Sequence, residues 1–190
     1  MRTAPDLSDL CQILSRAKFG SGVELFQAMV QATCEVLGVD CAMVATLASC
    51  EPGQPREMVS EAIWFRGESL EPMTYSLAGT PCADVMDARP CVFPNSVQSL
   101  FPEDQLLVQM GMNSYAGAFT QDRNGRPIGV FALLSSEEIP IPEAYGEVVT
   151  ALAGLASGEL ERVAAVRRRE EAQRNAEVAN EAKARFLASL

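Results

Sequence analysis

The chain has 190 residues, 48% of them hydrophobic and 21% charged, with a net charge of −10 at neutral pH, which suits one ordinary globular domain of about 150 residues plus an extension. Charge is uneven: residues 1–160 carry 8 Lys+Arg against 20 Asp+Glu, whereas residues 161–190 carry 7 against 5. So acidic a body repels nucleic acid and anionic membranes, and the lack of a long apolar run or a basic-then-apolar leader excludes a membrane span or signal peptide and points to the cytoplasm.

From Asp6 to about Leu37, Leu7, Leu10, Cys11 and Leu14, then Leu25, Phe26, Met29, Val30, Val36 and Leu37, recur at helical spacing, with Gly20 and Gly22 between them. Two helices or one broken helix fit, with Gly38 as the closing cap. Asp40 to Ser49 and Glu57 to Arg66 read as strands around the turn-forming Glu51-Pro-Gly-Gln-Pro55. Met73 to Leu77 is a short strand. Thr80-Pro81 then starts a short helix, with Thr80 as cap, Pro81 at the first helical position and Asp84 in the first turn. Cys91 to Phe93 is another short strand, and Pro102-Glu-Asp opens a helix that runs to Met110 and stops at Gly111. Ser114 to Gln121 and Ile128 to Ser135 flank Asp122-Arg-Asn-Gly-Arg126, whose Asn-Gly pair is the strongest hairpin signal present. From Pro142 the pattern is helical to Leu190, with no further proline. Helices at both ends of an antiparallel sheet define an α+β class.

The six cysteines, at positions 11, 34, 41, 50, 82 and 91, show no C-x-x-C spacing, and the chain has no histidine. No metal site is expected, and the fold requires no cofactor. Cys41 and Cys50 flank an apolar run and read as buried free thiols. The same inventory argues against catalysis: no histidine base, no G-x-S-x-G, no phosphate-cradling glycine loop and no paired-carboxylate signature.

The element order, together with Ser114-Tyr-Ala-Gly117 leading one strand, Gly125-Arg-Pro-Ile-Gly129-Val before the last, Leu77-Ala-Gly-Thr-Pro-Cys82 and Phe101-Pro-Glu-Asp104, resembles a GAF domain over residues 8–160. The resemblance implies a six-stranded antiparallel sheet. Terminal helices would cover one face and form a dimer bundle, while residues 66–112 would roof a small-molecule pocket on the other.

In such a pocket Trp64, Phe65, Tyr75, Phe93, Met110, Tyr115 and Phe119 would supply aromatic or soft surface, and Arg66, Thr80 and Ser114 polar handles. Strand alternation requires that about half of these simply fill the core. Cys82, in the first turn of the helix started by Thr80, would have a thiolate favoured by the helix dipole, with Cys91 as resolving partner in a redox site; packing the helix start onto the sheet is the commoner role of such a cysteine. The family's known ligand signatures are missing. Ala83 rather than histidine follows Cys82, no histidine is present to ligate haem, and the N-K-x-F-x-x-x-D-E pattern of phosphodiesterase GAF domains does not occur. The cofactor is therefore unknown.

Val149, Leu152, Ala156, Leu160 and Val163 form a seam at spacings of three and four that suits a partner helix, and Ala172, Ala176, Ala179, Lys183, Phe186 and Leu190 continue it more weakly. Glu170 with Arg174 and Glu181 with Arg185 are favourable i, i+4 pairs. The last twelve residues, Ala179-Asn-Glu-Ala-Lys-Ala-Arg-Phe-Leu-Ala-Ser-Leu190, resemble the run A-N-x-A-K-x-x-F-L-A-x-L/M-S-H-E that leads into the phosphoacceptor histidine of sensor histidine kinases. That resemblance implies a division into a sensor domain, 1–160, and a signalling helix, 161–190, that forms a parallel homodimeric coiled coil and leads into a kinase core with a cognate response regulator. A GAF dimerisation or adaptor module without ligand is the alternative.

Overall fold

The computed structural model describes residues 4–17, 21–48, 56–86 and 90–188. The chain runs α1 (Leu7–Ala17), α2 (Val23–Leu37), β1 (Cys41–Leu47), β2 (Glu57–Phe65), β3 (Glu68–Leu70), β4 (Thr74–Ser76), α3 (Pro81–Met86), β5 (Cys91–Phe93), α4 (Val97–Leu100), α5 (Gln105–Met110), β6 (Ser114–Gln121), β7 (Pro127–Ser135) and α6 (Pro142–Ala188). Gly38 and Gly111 end α2 and α5 in the left-handed conformation, as helix caps require. The Leu77–Thr80 turn departs from its expected cap. The Thr80 hydroxyl donates back to the Leu77 carbonyl at 2.8 Å.

The sheet is antiparallel, in the order β3-β2-β1-β7-β6-β5, with β4 also on β2. Seven strands therefore stand where six were expected. The nine-residue β2 is long enough to pair β4 along Glu57–Val59 and β3 along Ile63–Phe65, so two three-residue strands share one edge. β2 and β3 are joined by the two-residue turn Arg66–Gly67, both at positive φ, 47° and 94°.

Both faces of the sheet are buried. On one face α1, α2 and α6 pack Ile13, Phe26, Val30, Val149 and Leu152 against Ala42, Val44, Phe131 and Leu133. On the other, the segment between β2 and β6 packs Leu77, Val85, Val97 and Leu107 against Ala45, Val130, Ala132 and Leu134. Period-two alternation along β7 sends neighbouring residues to opposite cores. At about 25 cal/mol per Å², each large side chain so buried contributes roughly 1.5–3 kcal/mol.

A β-bulge interrupts β2. Val44 pairs Ala62 but Ala45 pairs Ser60, leaving Glu61 as the extra residue. Its side chain is only 6% exposed and is held by both terminal nitrogens of Arg167 on α6, at 3.0 and 2.9 Å, and by the Thr46 hydroxyl at 3.1 Å.

α6 has 47 residues, about 70 Å at 1.5 Å per residue. The expected partner-helix seam is corrected in its first half: Val149, Leu152, Ala156 and Leu160 are buried against the protein's own sheet. Helical spacing that fits a partner helix fits a sheet equally well. Beyond Val163 every described side chain of α6 is exposed, and Ala172, Ala176, Ala179 and Lys183 lie in this part. Arg174 turns to the Glu170 backbone carbonyl at 3.4 Å. The side chains of Glu181 and Phe186, and Leu190 and Cys50 entirely, lie outside the described residues.

Asp40, at the start of β1, accepts from the Ser136 N–H at 2.6 Å and hydroxyl at 2.7 Å, and pairs Arg66 at 3.4 Å. Burial pushes its carboxyl upward, but the Ser136 bonds and the Arg66 guanidinium outweigh that and hold it below its ordinary value. A depressed carboxylate contributes stability that is present above its unfolded value, near 4, and is lost as pH falls through the folded value. Urea unfolding from pH 6 down to pH 2 should therefore show a shallower acid loss in Asp40→Asn than in wild type; parallel curves would contradict the assignment.

Removing Arg167 leaves the buried Glu61 carboxylate without its cation. Because Arg167 is 57% exposed, water relieves part of the cost, so Arg167→Ala should lose about 1–2 kcal/mol in urea unfolding. Glu61→Gln, which frees an arginine that water can solvate, should lose less, and the reverse order would contradict the description.

Candidate functional site

Under the roof lies a cavity of about 60 Å³ with almost wholly apolar walls. The sheet supplies Cys41 and Met43 from β1, Ile63 from β2, Tyr115 from β6 and Leu134 from β7. Leu70, Met73 and Tyr75 come from the β2 edge, and Thr80, Pro81 and Cys82 from the start of α3. Asp104, Leu106, Leu107 and Met110 come from α5 and its cap. The floor is fully buried, including Cys41, Cys82 and Tyr115, whereas Met43, Met73, Tyr75, Asp104 and Met110 are half-buried and form a rim.

At the floor, Cys82 sits between two phenols. The Tyr75 hydroxyl donates to its Sγ at 3.7 Å, and the Tyr115 hydroxyl lies 3.4 Å away on the other side. Tyr115 reaches it because Gly117, two residues on along the same strand face, leaves room for the ring: a Cβ there would meet the phenol itself. Phe93 braces the arrangement, 6.1 Å from Tyr115 and edge-on to Phe101 at 5.0 Å.

The thiolate expected at Cys82 is not favoured. Burial pushes the thiol up, the hydrogen bonds from Tyr115 and Tyr75 only partly offset it, and Asp104 adds to the rise. α3 is six residues long, too short for a strong dipole. Burial and Asp84 push Cys91 up as well. Cys82 is a free thiol, as is the fully buried Cys41. Burial likewise raises Tyr75 and Tyr115 well above the ordinary phenol value.

Among the described residues Asp104 is the one charged residue in the lining. Its Oδ1 caps α5, accepting from the Leu106 N–H at 3.1 Å and the Leu107 N–H at 3.4 Å. Burial nevertheless pushes its carboxyl up, and among the described residues no cation pairs with it.

Of the residues singled out in the sequence, Tyr75, Thr80, Cys82, Met110 and Tyr115 meet at this cavity. The others do not. Trp64 lies on the opposite face, against α2, its carbonyl near Cys34. The Glu61 bulge is the reason: Met58 faces the roof, but one extra residue shifts the parity so that Ile63 faces it and Trp64 does not. Arg66 stays in its turn, 52% exposed, stacked 5.0 Å over Phe65 and paired with Asp40. Phe93, Phe119 and Phe65 pack around the roof core without lining the cavity. The Ser114 hydroxyl donates to the Glu137 carbonyl at 2.6 Å, tying the start of β6 to the segment after β7. Sequence reading passed over Met43, Met73 and Leu106 as lining, although the apolar spacing of β1 and the Pro102-Glu-Asp helix start held the signal. Among the described residues no cluster of histidine, cysteine or carboxylate side chains could hold a metal ion. No described helix is long and apolar enough to cross a membrane.

No curated protein sequence matches the chain. Solved structures do. The GAF domain of an Acinetobacter phosphoenolpyruvate-protein phosphotransferase is 18% identical at a TM-score of 0.65, over 85% of this chain and 96% of that one. Free methionine-R-sulfoxide reductase from Neisseria meningitidis, solved with its substrate, is 17% identical at 0.64, over 85% and 94%. The chromophore-binding domain of Stigmatella aurantiaca bacteriophytochrome is 14% identical at 0.62, over 81% and 59%. At such identities the likeness is one of fold. The family model of the GAF domain matches residues 21–160, ending on Leu160, the last buried residue of α6 among those described, and the chain belongs to the GAF-domain family.

Proposed function

We propose that this domain is the sensory input module of a two-component histidine kinase. It binds a small molecule under the roof and passes the change to a dimeric C-terminal helix. The observation that carries this reading is the double use of one sheet. β7 presents Leu134 to the cavity while Phe131 and Leu133 pack against the helical layer that includes α6, so a ligand that shifts the roof face acts on strands that also seat the helix. Coupling then requires only that the ligand prefer one of two packings.

The kinase assignment rests on the Ala179–Leu190 run, helical as far as Ala188, and divides the chain into a sensor, 1–160, and a signalling helix, 161–190. The parent would be an ATP-dependent kinase of the cytoplasm acting on a response regulator, and the sensor itself would be non-catalytic. Large apolar side chains exposed on α6, Leu155, Val166 and Val178, and on the flanking helices, Leu7 and Val23, offer surface for a parallel homodimer. Burial of Cys82, which pushes its thiol up, disfavours the reactive thiolate that redox sensing would use.

One observation favours the ligand-free adaptor instead. The cavity, about 60 Å³, is well below the roughly 300–1,000 Å³ of ordinary ligand pockets.

Native mass spectrometry set against the denatured mass separates the two readings. The sensor reading predicts a dimer of roughly twice 20.5 kDa carrying a small mass that denaturation removes. A bare dimer would favour the adaptor, and a bare monomer would contradict the relay. Continuing the reading frame past Leu190 tests the kinase: Ser-His-Glu is expected, and any other sequence contradicts it.

A further inference from the structure

We propose that the roof cavity takes a compact, uncharged, apolar molecule, a hydrocarbon or hydrocarbon-like body smaller than benzene. The proposal rests on the reading of this cavity as a ligand site and adds the chemical class and the size of what fits it.

The walls set the class. Met43, Ile63 and Leu134 line the space from three strands, and Leu106 and Met110 line it from α5. Almost all the surface that the described lining presents to the cavity is apolar. The polar side chains of that lining are engaged with the protein itself. The Tyr75 hydroxyl donates to the Cys82 Sγ, which the Tyr115 hydroxyl meets from the other side. The Thr80 hydroxyl donates to the Leu77 carbonyl, and Asp104 caps α5. A polar or charged molecule entering here loses its hydration and finds few hydrogen bonds in exchange. An apolar one loses unfavourable hydration and gains dispersion contacts on every side.

Volume sets the size. An apolar cavity of about 150 Å³ holds benzene, and this one has about 60 Å³, so it suits a body of fewer carbon atoms. The volume that falls short of an ordinary ligand pocket is adequate for this class. Met43, Met73 and Met110 are half-buried at the rim. Their unbranched, polarisable thioethers let such a molecule pass by rotamer changes and then close around it. Once inside, the molecule touches α5 through Leu106 and Met110 and the sheet through Met43 and Leu134, so it ties the roof to strands that also seat the helical layer.

The test uses isobutene, acetone and acetate, which share one planar skeleton and differ in polarity and charge. Each is titrated into the full chain carrying ¹³C-methyl methionine. The Met43, Met73 and Met110 signals are compared with that of Met29, which is buried in the helical layer. Isobutene is expected to shift the three cavity methionines most and to bind about tenfold more tightly than acetone, with acetate weakest. Benzene should bind the wild type less tightly than isobutene does. Met110→Ala, which widens the wall at a half-buried position, should reverse that order. Acetone or acetate binding as tightly as isobutene would overturn the apolar class. Benzene binding the wild type more tightly than isobutene, or an order unchanged in Met110→Ala, would overturn the size limit. Each of these results leaves the ligand site standing. If none of the four probes moves the cavity methionines, or if Met29 responds most, the reading of the cavity as a ligand site falls as well.

Discussion

The structure depends on a sheet that is apolar on both faces. β7 is buried continuously from Gly129 to Ser135, and β1 along most of its length, so neither face can be left to water. The terminal helices cover one face and the irregular segment between β2 and β6 covers the other. The two covers differ in kind. Long helices with many buried side chains make a firm layer. The roof is assembled from short pieces, α3, α4 and α5, of four to six residues each, so its packing against the sheet is the looser of the two and the cavity lies there.

Glu61 joins these layers in a second way. An extra residue in β2 turns a carboxylate into the helical face, where Arg167 clamps it. Arg167 lies seven residues beyond Leu160, the last buried residue of α6 among those described. The clamp therefore fixes the direction in which the exposed part of the helix leaves the domain. The same bulge sets which residues of β2 face the cavity, so one local irregularity governs both the lining of the site and the seating of the helix.

Much of this was legible in the sequence. Gly38 and Gly111 as caps, the Asn-Gly hairpin and the proline-free stretch after Pro142 each act through local chemistry, and each appears where local chemistry puts it. What was not legible depends on partners distant in the chain. Trp64 and Phe65 were both offered to the pocket although neighbours on a strand face opposite ways, and which of the two turns away depends on a bulge that alternation cannot foresee. β3 escaped because a three-residue strand has no periodicity, and its hairpin turn opens with an arginine, where a glycine or asparagine would signal the positive φ. The heptad-like spacing of Val149 to Leu160 was read as a partner seam because a sheet and a helix impose the same requirement on a helix face. At the cavity Tyr75, Tyr115 and Cys82 were foreseen, whereas Asp104 was noticed only as part of a helix start, since its place in the lining follows from how α5 sits.

The central claim is that the cavity and the exit of α6 are two faces of one coupled sheet. Hydrogen exchange, read by mass spectrometry on the wild type and on Met110→Ala, which changes the cavity wall on α5, tests it most directly. The account predicts altered protection in α5 and, together with it, in β2 around Glu61 and in α6 around Arg167. A change confined to residues 66–112, with the α6 exit unaltered, would contradict it.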